Sequence, residues 1–170
     1  AGRPGMAGAA ILAARGALRA GVGFLRIASA PENREILQEA VPDAVYVDAS
    51  DQGALEEAIF ASRALGVGPG LGTDEVAVAL LESVFRLSDA EAMLLDADAL
   101  NLLSQGKGPS TKGMGDSRDL ILTPHPGEMA RLTGLSPKDV TAHRPKVARA
   151  LAEETGCSVL LKGMPSLVAT

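Results

Sequence analysis

AMLLDADALNLLS, Ala92–Ser104, is the stretch whose reading decides the fold. It opens with apolar residues that do not alternate with polar ones, which predicts a strand over Ala92–Asp96 covered on both faces. The aspartates Asp96 and Asp98 close that run, and Ala99–Ser104 reads as a short helix. The same strand–turn–helix unit recurs on both sides. Upstream, strands are expected at Val22–Ser29, Ala44–Asp48 and Ala64–Val67, with helices at Met6–Gly21, Pro31–Val41, Gln52–Ser62 and Asp74–Phe85. Downstream, strands are expected at Leu120–Thr123, Cys157–Gly163 and near Val168, with helices at Glu128–Thr133 and Lys138–Thr155. Alternation of this kind with short connections predicts a doubly wound α/β sheet, mostly parallel. Residues 1–170 read as a single domain, with no internal repeat and no dividing linker.

Composition narrows the function. The net charge is -5 and aromatic residues make up 2% of the chain, so neither a nucleic-acid backbone nor an anionic membrane is a natural partner. No apolar run approaches the roughly 20 residues of a membrane span. The single cysteine, Cys157, leaves no internal disulfide and no Cys-rich zinc cluster, and it reads as core. His143 and the Arg144, Lys146 and Arg149 set around it read as a solvated face. The opening AGRPGMAGAA does not have the pattern of a signal peptide, and a cytoplasmic location is expected. There is no initiator Met, so residue 1 need not be a natural start.

In open α/β sheets ligands bind beyond the carboxyl ends of the strands. Four such ends carry chemistry. After Ala64–Val67 comes GPGLGTDE, where Gly68, Gly70 and Gly72 allow close backbone approach and Thr73 is an expected N-cap. A tight turn explains the glycines equally well. Asp96 and Asp98 follow the central strand, with Asn101 one turn on from Asp98. Such carboxylates suit sugar hydroxyls or hydrated Mg²⁺, or Asp98 simply caps the next helix. After Leu120–Thr123 comes PHPGE. Two prolines stiffen His125, Gly127 permits close packing, and Glu128 favours the N-terminus of the next helix. His125 either contacts a ligand or satisfies buried backbone groups. Lys162, in LLKGMPS, either neutralises phosphate or is a solvated lysine at the sheet edge. Gly5, Gly8, Ala9 and Ala10 would let a ligand or a helix lie close to the first helix.

GMAGAAILAARGALRAGVG, GVGPGLG, LLDADALNLL, ILTPHPGEMARLTG and VLLKGMPSLVA, in this order, resemble the ADP/ATP-dependent NAD(P)H-hydrate dehydratases. These are repair enzymes of the ribokinase-like superfamily. The resemblance covers essentially the whole chain. It implies a three-layer α/β/α fold, and ADP- or ATP-dependent dehydration of hydrated NADH or NADPH by phosphorylation of the added hydroxyl and loss of phosphate. It implies that Ala9, Gly68, Gly70, Gly72, Asp98, Asn101, His125, Gly127 and Glu128 lie on the hydrated dinucleotide. It implies that Lys162, Gly163, Met164, Pro165 and Ser166 lie along the nucleotide phosphates. Mg²⁺, a homotetramer and a fused or separate epimerase are further implications. The family has Thr where Ser166 stands here, and Ser keeps the hydroxyl.

The family's Gly-Thr-Gly-Asp motif, whose aspartate is its presumed base, is not found within residues 1–170. The string GMGD, Gly113–Asp116, reads as a loop. No catalytic residue or protein-held metal site is therefore expected here. The chain is expected to be the first two-thirds of such a domain, with a sheet edge near Val168 and little activity alone. A ribokinase-like kinase of a vitamin precursor, architecturally akin to hydroxyethylthiazole kinase, is the alternative reading. A non-catalytic nucleotide-binding module is another.

Overall fold

The computed structural model describes residues 1–115 and 118–170. In chain order the elements are α1 (Ala7–Arg19), β1 (Arg26–Ser29), a 3₁₀ turn at Pro31–Asn33, α2 (Arg34–Ala40), β2 (Val45–Asp48), α3 (Gln52–Phe60), β3 (Ala64–Val67) and α4 (Glu75–Leu87). Next come β4 (Ala92–Leu95), α5 (Asp98–Ser104), β5 (Asp119–Leu122), α6 (Pro126–Thr133), α7 (Pro137–Ala142), α8 (Arg144–Thr155), β6 (Ser158–Leu161) and β7 (Leu167–Ala169).

The expected α/β alternation is present. The strands form a parallel β1–β2 pair and a five-stranded sheet in the order β3-β4-β5-β6-β7. The ladders from β3 to β6 are parallel, and β7 returns antiparallel to β6. The covering of the central strands is one-sided, contrary to expectation: burial alternates along β4 and β5, and Leu94 and Ile121 on the second face are 37% and 36% exposed. Met93 and Leu95 of β4 and Leu120 and Leu122 of β5 are all buried, packed with residues of α4, α5, α6 and α8 in one core cluster. A smaller cluster, Ala10, Ala14, Ile27, Leu37 and Val41, sits between α1, α2 and β1. Cys157 is buried, as its apolar setting predicted.

Register matters most for function. Val67 pairs with Leu95, Leu95 with Leu122, and Leu122 with Val159. The hydrogen bonding continues one step past the strands: Asp96 N donates to Val67 O, Thr123 N to Leu95 O, and Lys162 N to Pro124 O. Four strand ends are thereby tied into one edge.

Three local expectations are corrected. The Lys138–Thr155 helix is two helices broken at His143, because Pro145 removes an amide and its ring crowds the turn before it. Thr73 is not the cap of α4; Asp74 is, accepting from Ala77 N at 3.0 Å. Pro31 opens a 3₁₀ turn before α2 begins. Of GMGD, Gly113 and Gly115 donate to Glu154 O and Thr155 O at the end of α8, while Asp116 lies outside the described residues.

Leu122 is fully buried in the middle of the large sheet. Leu122→Ala is expected to lower the unfolding free energy by about 2–5 kcal/mol, read from the midpoint and slope of a denaturant titration.

Candidate functional site

The site is built at the shared edge. The glycine loop after β3 is shaped by what packs on it. Gly68 has φ +122°, and a side chain there would run into the Asp96 carbonyl. Gly70 has φ +61°, and an added Cβ would sit 3.0 Å from the Cβ atoms of Ala9 and Met6. Ala9 and Gly70, predicted to share a ligand, therefore meet directly. The start of the chain runs along this loop, with Gly2 N on Pro69 O and Arg3 N on Gly70 O. Ser29 and Asn33 hold that segment through hydrogen bonds of 2.7 Å to Gly2 O. Neither residue stood out in the sequence, because their partners lie about thirty residues away.

Asp98 is the first residue of α5, not its cap; that place belongs to Ala97 at φ 49°. Positive φ on a residue with a Cβ is a strained backbone, and here it falls between the two aspartates. Asp98 Oδ2 accepts from Gly72 N at 2.8 Å, and Oδ1 accepts from Asn101 Nδ2 at 3.3 Å. Asn101 Oδ1 accepts in turn from Arg131 Nε at 3.0 Å. The amide's orientation is thus fixed at both ends. Arg131 was not marked by its sequence, since the contact spans thirty residues.

His125 satisfies backbone groups, one of the two readings of its sequence. It is the N-cap of α6: Nδ1 accepts from Gly127 N at 2.9 Å and Glu128 N at 3.3 Å. The ring proton consequently sits on Nε2. Glu128 returns the bond, Oε2 accepting from His125 N at 2.8 Å to complete a capping box. Its Oε1 lies 3.3 Å from His125 Nε2. Glu128 is buried, whereas half of the His125 side chain is open to solvent.

Lys162 binds these parts together. Its Nζ lies 2.5 Å from Asp96 Oδ1 and 3.8 Å from Glu128 Oε2. A buried carboxylate such as Glu128 needs a cation or donors close by, and it has both. Beyond Lys162, Gly163, Met164, Pro165 and Ser166 form an exposed loop, with Ser166 Oγ donating to Gly163 O at 3.2 Å. Arg144, expected on a solvated face, instead reaches back from α8. Its guanidinium lies against Gly163, and Nη2 donates to Pro165 O at 2.6 Å. His143 is exposed as expected.

A surface concavity of about 560 Å³ lies on the α4 side, lined by Asp74, Glu75, Glu82 and Lys107 among others. It contains none of His125, Asp96 or Lys162. Convergent polar groups, rather than volume, mark the strand-end edge as the candidate site.

A mixed sheet with its polar groups gathered at the carboxyl edge defines a protein of the open α/β class that binds ligands beyond its strand ends. The chain belongs to the NAD(P)H-hydrate dehydratase family, whose profile matches residues 1–170. It is 38% identical over 173 residues to the ADP-dependent (S)-NAD(P)H-hydrate dehydratase of Neisseria meningitidis serogroup B, covering 99% of this chain and 56% of that protein. A crystal structure of a ribokinase-like superfamily protein from Enterococcus faecalis superposes with a TM-score of 0.86 at 23% identity, over 99% of this chain and 57% of that one. At that identity the likeness speaks for the fold. The ADP/ATP-dependent NAD(P)H-hydrate dehydratase of Bacillus subtilis, co-crystallised with ATP/Mg²⁺, superposes with a TM-score of 0.77 at 29% identity, over 99% of this chain and 57% of that one. The chain spans 31% to 56% of the length of the curated relatives that it matches.

Two substitutions test the local physics. His125→Ala removes the acceptor for two amides and is expected to cost about 1 kcal/mol of stability. His125→Asn, itself a good cap, should restore most of it; equal losses in chemical denaturation would refute the capping assignment. Ala97→Gly relieves the positive φ and should stabilise by about 1 kcal/mol, visible as a higher midpoint in the same assay.

Proposed function

We propose that this protein contributes the substrate-binding part of an ADP- or ATP-dependent dehydratase that restores hydrated NADH or NADPH. The observation that carries the reading is the convergence of His125, Glu128, Lys162 and Asp96 at one sheet edge, in a chain matched by the family along its whole length. In this reading Ala9 and Gly70 form one wall for the hydrated dinucleotide. His125 offers it Nε2–H, held in place by the α6 cap. Gly68, Gly72 and Gly127 permit the close packing that shapes the wall. Asp98 and Asn101 form the floor, and Glu128 fixes His125 and Lys162 from below.

The nucleotide phosphates would run along Lys162, Gly163, Met164, Pro165 and Ser166, where Arg144 braces the loop from behind. Lys162 is pre-paired with carboxylates and would exchange part of that pairing for phosphate oxygens. A resident Mg²⁺ does not fit the donors here. No group of three His, Cys, Asp or Glu side chains converges among the described residues, and Asp96 and Asp98 are committed to Lys162, Gly72 and Asn101. Magnesium would arrive on the nucleotide as part of the co-substrate.

In the chemistry, the hydroxyl oxygen of the hydrated ring attacks the terminal phosphorus of ADP or ATP, releasing AMP or ADP. The C–O bond then breaks, inorganic phosphate leaves, and loss of a ring proton restores the double bond. Residues 1–170 orient the reactants; the proton-accepting role is assigned to none of them.

The test is to incubate the full chain with hydrated NADH or NADPH, with ADP or ATP, and follow recovery of the reduced-nicotinamide absorbance. Recovery that requires nucleotide supports the reading. A folded full chain that neither binds the hydrated dinucleotide nor restores it would sink it. His125→Asn should keep nearly wild-type folding yet weaken binding of the hydrated dinucleotide by about tenfold, the size expected for one lost donor, read in a direct binding titration.

A further inference from the structure

The cations at the strand-end edge are not equivalent. Lys162 already faces Asp96 and Glu128, so its charge is balanced within the protein. Arg131 has no carboxylate partner among the described residues. Its one hydrogen bond runs from Nε to the neutral Asn101 Oδ1. The two Nη groups, four N–H donors in all, have no protein partner there.

The guanidinium is nevertheless held in place. Asn101 is fixed by Asp98, and Asp98 by the Gly72 amide, so a three-link chain of hydrogen bonds from the glycine loop sets the position of Nε. The far side of the fork, Nη1, lies 3.9 Å from where a Cβ on Gly127 would sit, and that same point is 2.8 Å from His125 Cε1. Arg131 therefore presents its unpaired face beside the imidazole. Anchoring a long exposed side chain through its inner nitrogen, while leaving both outer nitrogens open, is a geometry suited to a two-oxygen anion. Without such an anion, ordering Arg131 would cost side-chain entropy for one modest hydrogen bond.

We infer that Arg131 is a substrate-binding residue whose Nη groups take the diphosphate of the dinucleotide, with Asp98 and Asn101 positioning it. The inference rests on the dinucleotide reading above. It also changes the role of Asp98 and Asn101: their polar atoms point at each other, at Gly72 and at Arg131, so they act on the ligand through the arginine.

The experiment is a fluorescence titration of NADH and NADPH, the stable reaction products, against the full chain and three variants. Arg131→Gln should weaken both ligands by about tenfold or more, with an unchanged melting temperature because the side chain is exposed. Asn101→Ala should weaken them by a smaller factor through loss of the anchor. Arg19→Gln, at the opposite end of α1, should bind as wild type. If Arg131→Gln binds both ligands as tightly as wild type, the inference falls and the dinucleotide reading survives. If its loss is confined to NADPH, the diphosphate assignment is overturned, since that ligand differs by a phosphate on the ribose. If wild type binds neither ligand, both readings fall together.

Discussion

The constraint on which everything else depends is the common register of β3, β4, β5 and β6. Parallel strands in register end together, so the residues just past their ends are forced into one place. Here those residues are a glycine, an aspartate, a Pro-His-Pro turn and a lysine. The extra backbone bonds beyond the strands, from Asp96, Thr123 and Lys162, keep the edge from fraying just where the polar side chains begin.

Those side chains spend most of their bonding capacity on one another. Glu128 caps α6 through the His125 amide, flanks its imidazole and faces Lys162. Asp98 is shared between the glycine loop and Asn101. A network of this kind, with each member satisfied, is rigid, and rigidity lets a site hold a substrate without reordering itself. Among the described residues of this edge, the outer nitrogens of Arg131 and the exposed loop after Lys162 keep bonding capacity open.

Much of the fold was legible beforehand, for a simple reason. Continuous apolar runs such as Ala92–Leu95 read as strands, and the glycines and prolines between them punctuate strongly, although the second face of β4 and β5 stays open at Leu94 and Ile121. Ala64–Val67 was bounded to the residue. Where the reading slipped, two local signals competed. Lys138–Thr155 has helical composition throughout, yet Pro145 divides it. Thr73 and Asp74 are both good caps, and only the path of the chain into α4 selects Asp74.

The amino-acid sequence determined the α/β alternation, the apolar strands and the identity of the groups at their ends, because each depends on neighbours within a few residues. The tertiary structure decided what those groups do. Lys162 meets Asp96 across 66 positions of chain, Arg131 meets Asn101 across 30, and Gly72 meets Asp98 across 26. It also decided that Arg144 braces a loop rather than facing solvent, and that His125 caps a helix through Nδ1 while its Nε2 faces Glu128 Oε1. Hydrogen bonds and ion pairs act over a few ångströms, so their partners are set by folding, and separation along the chain carries no record of them.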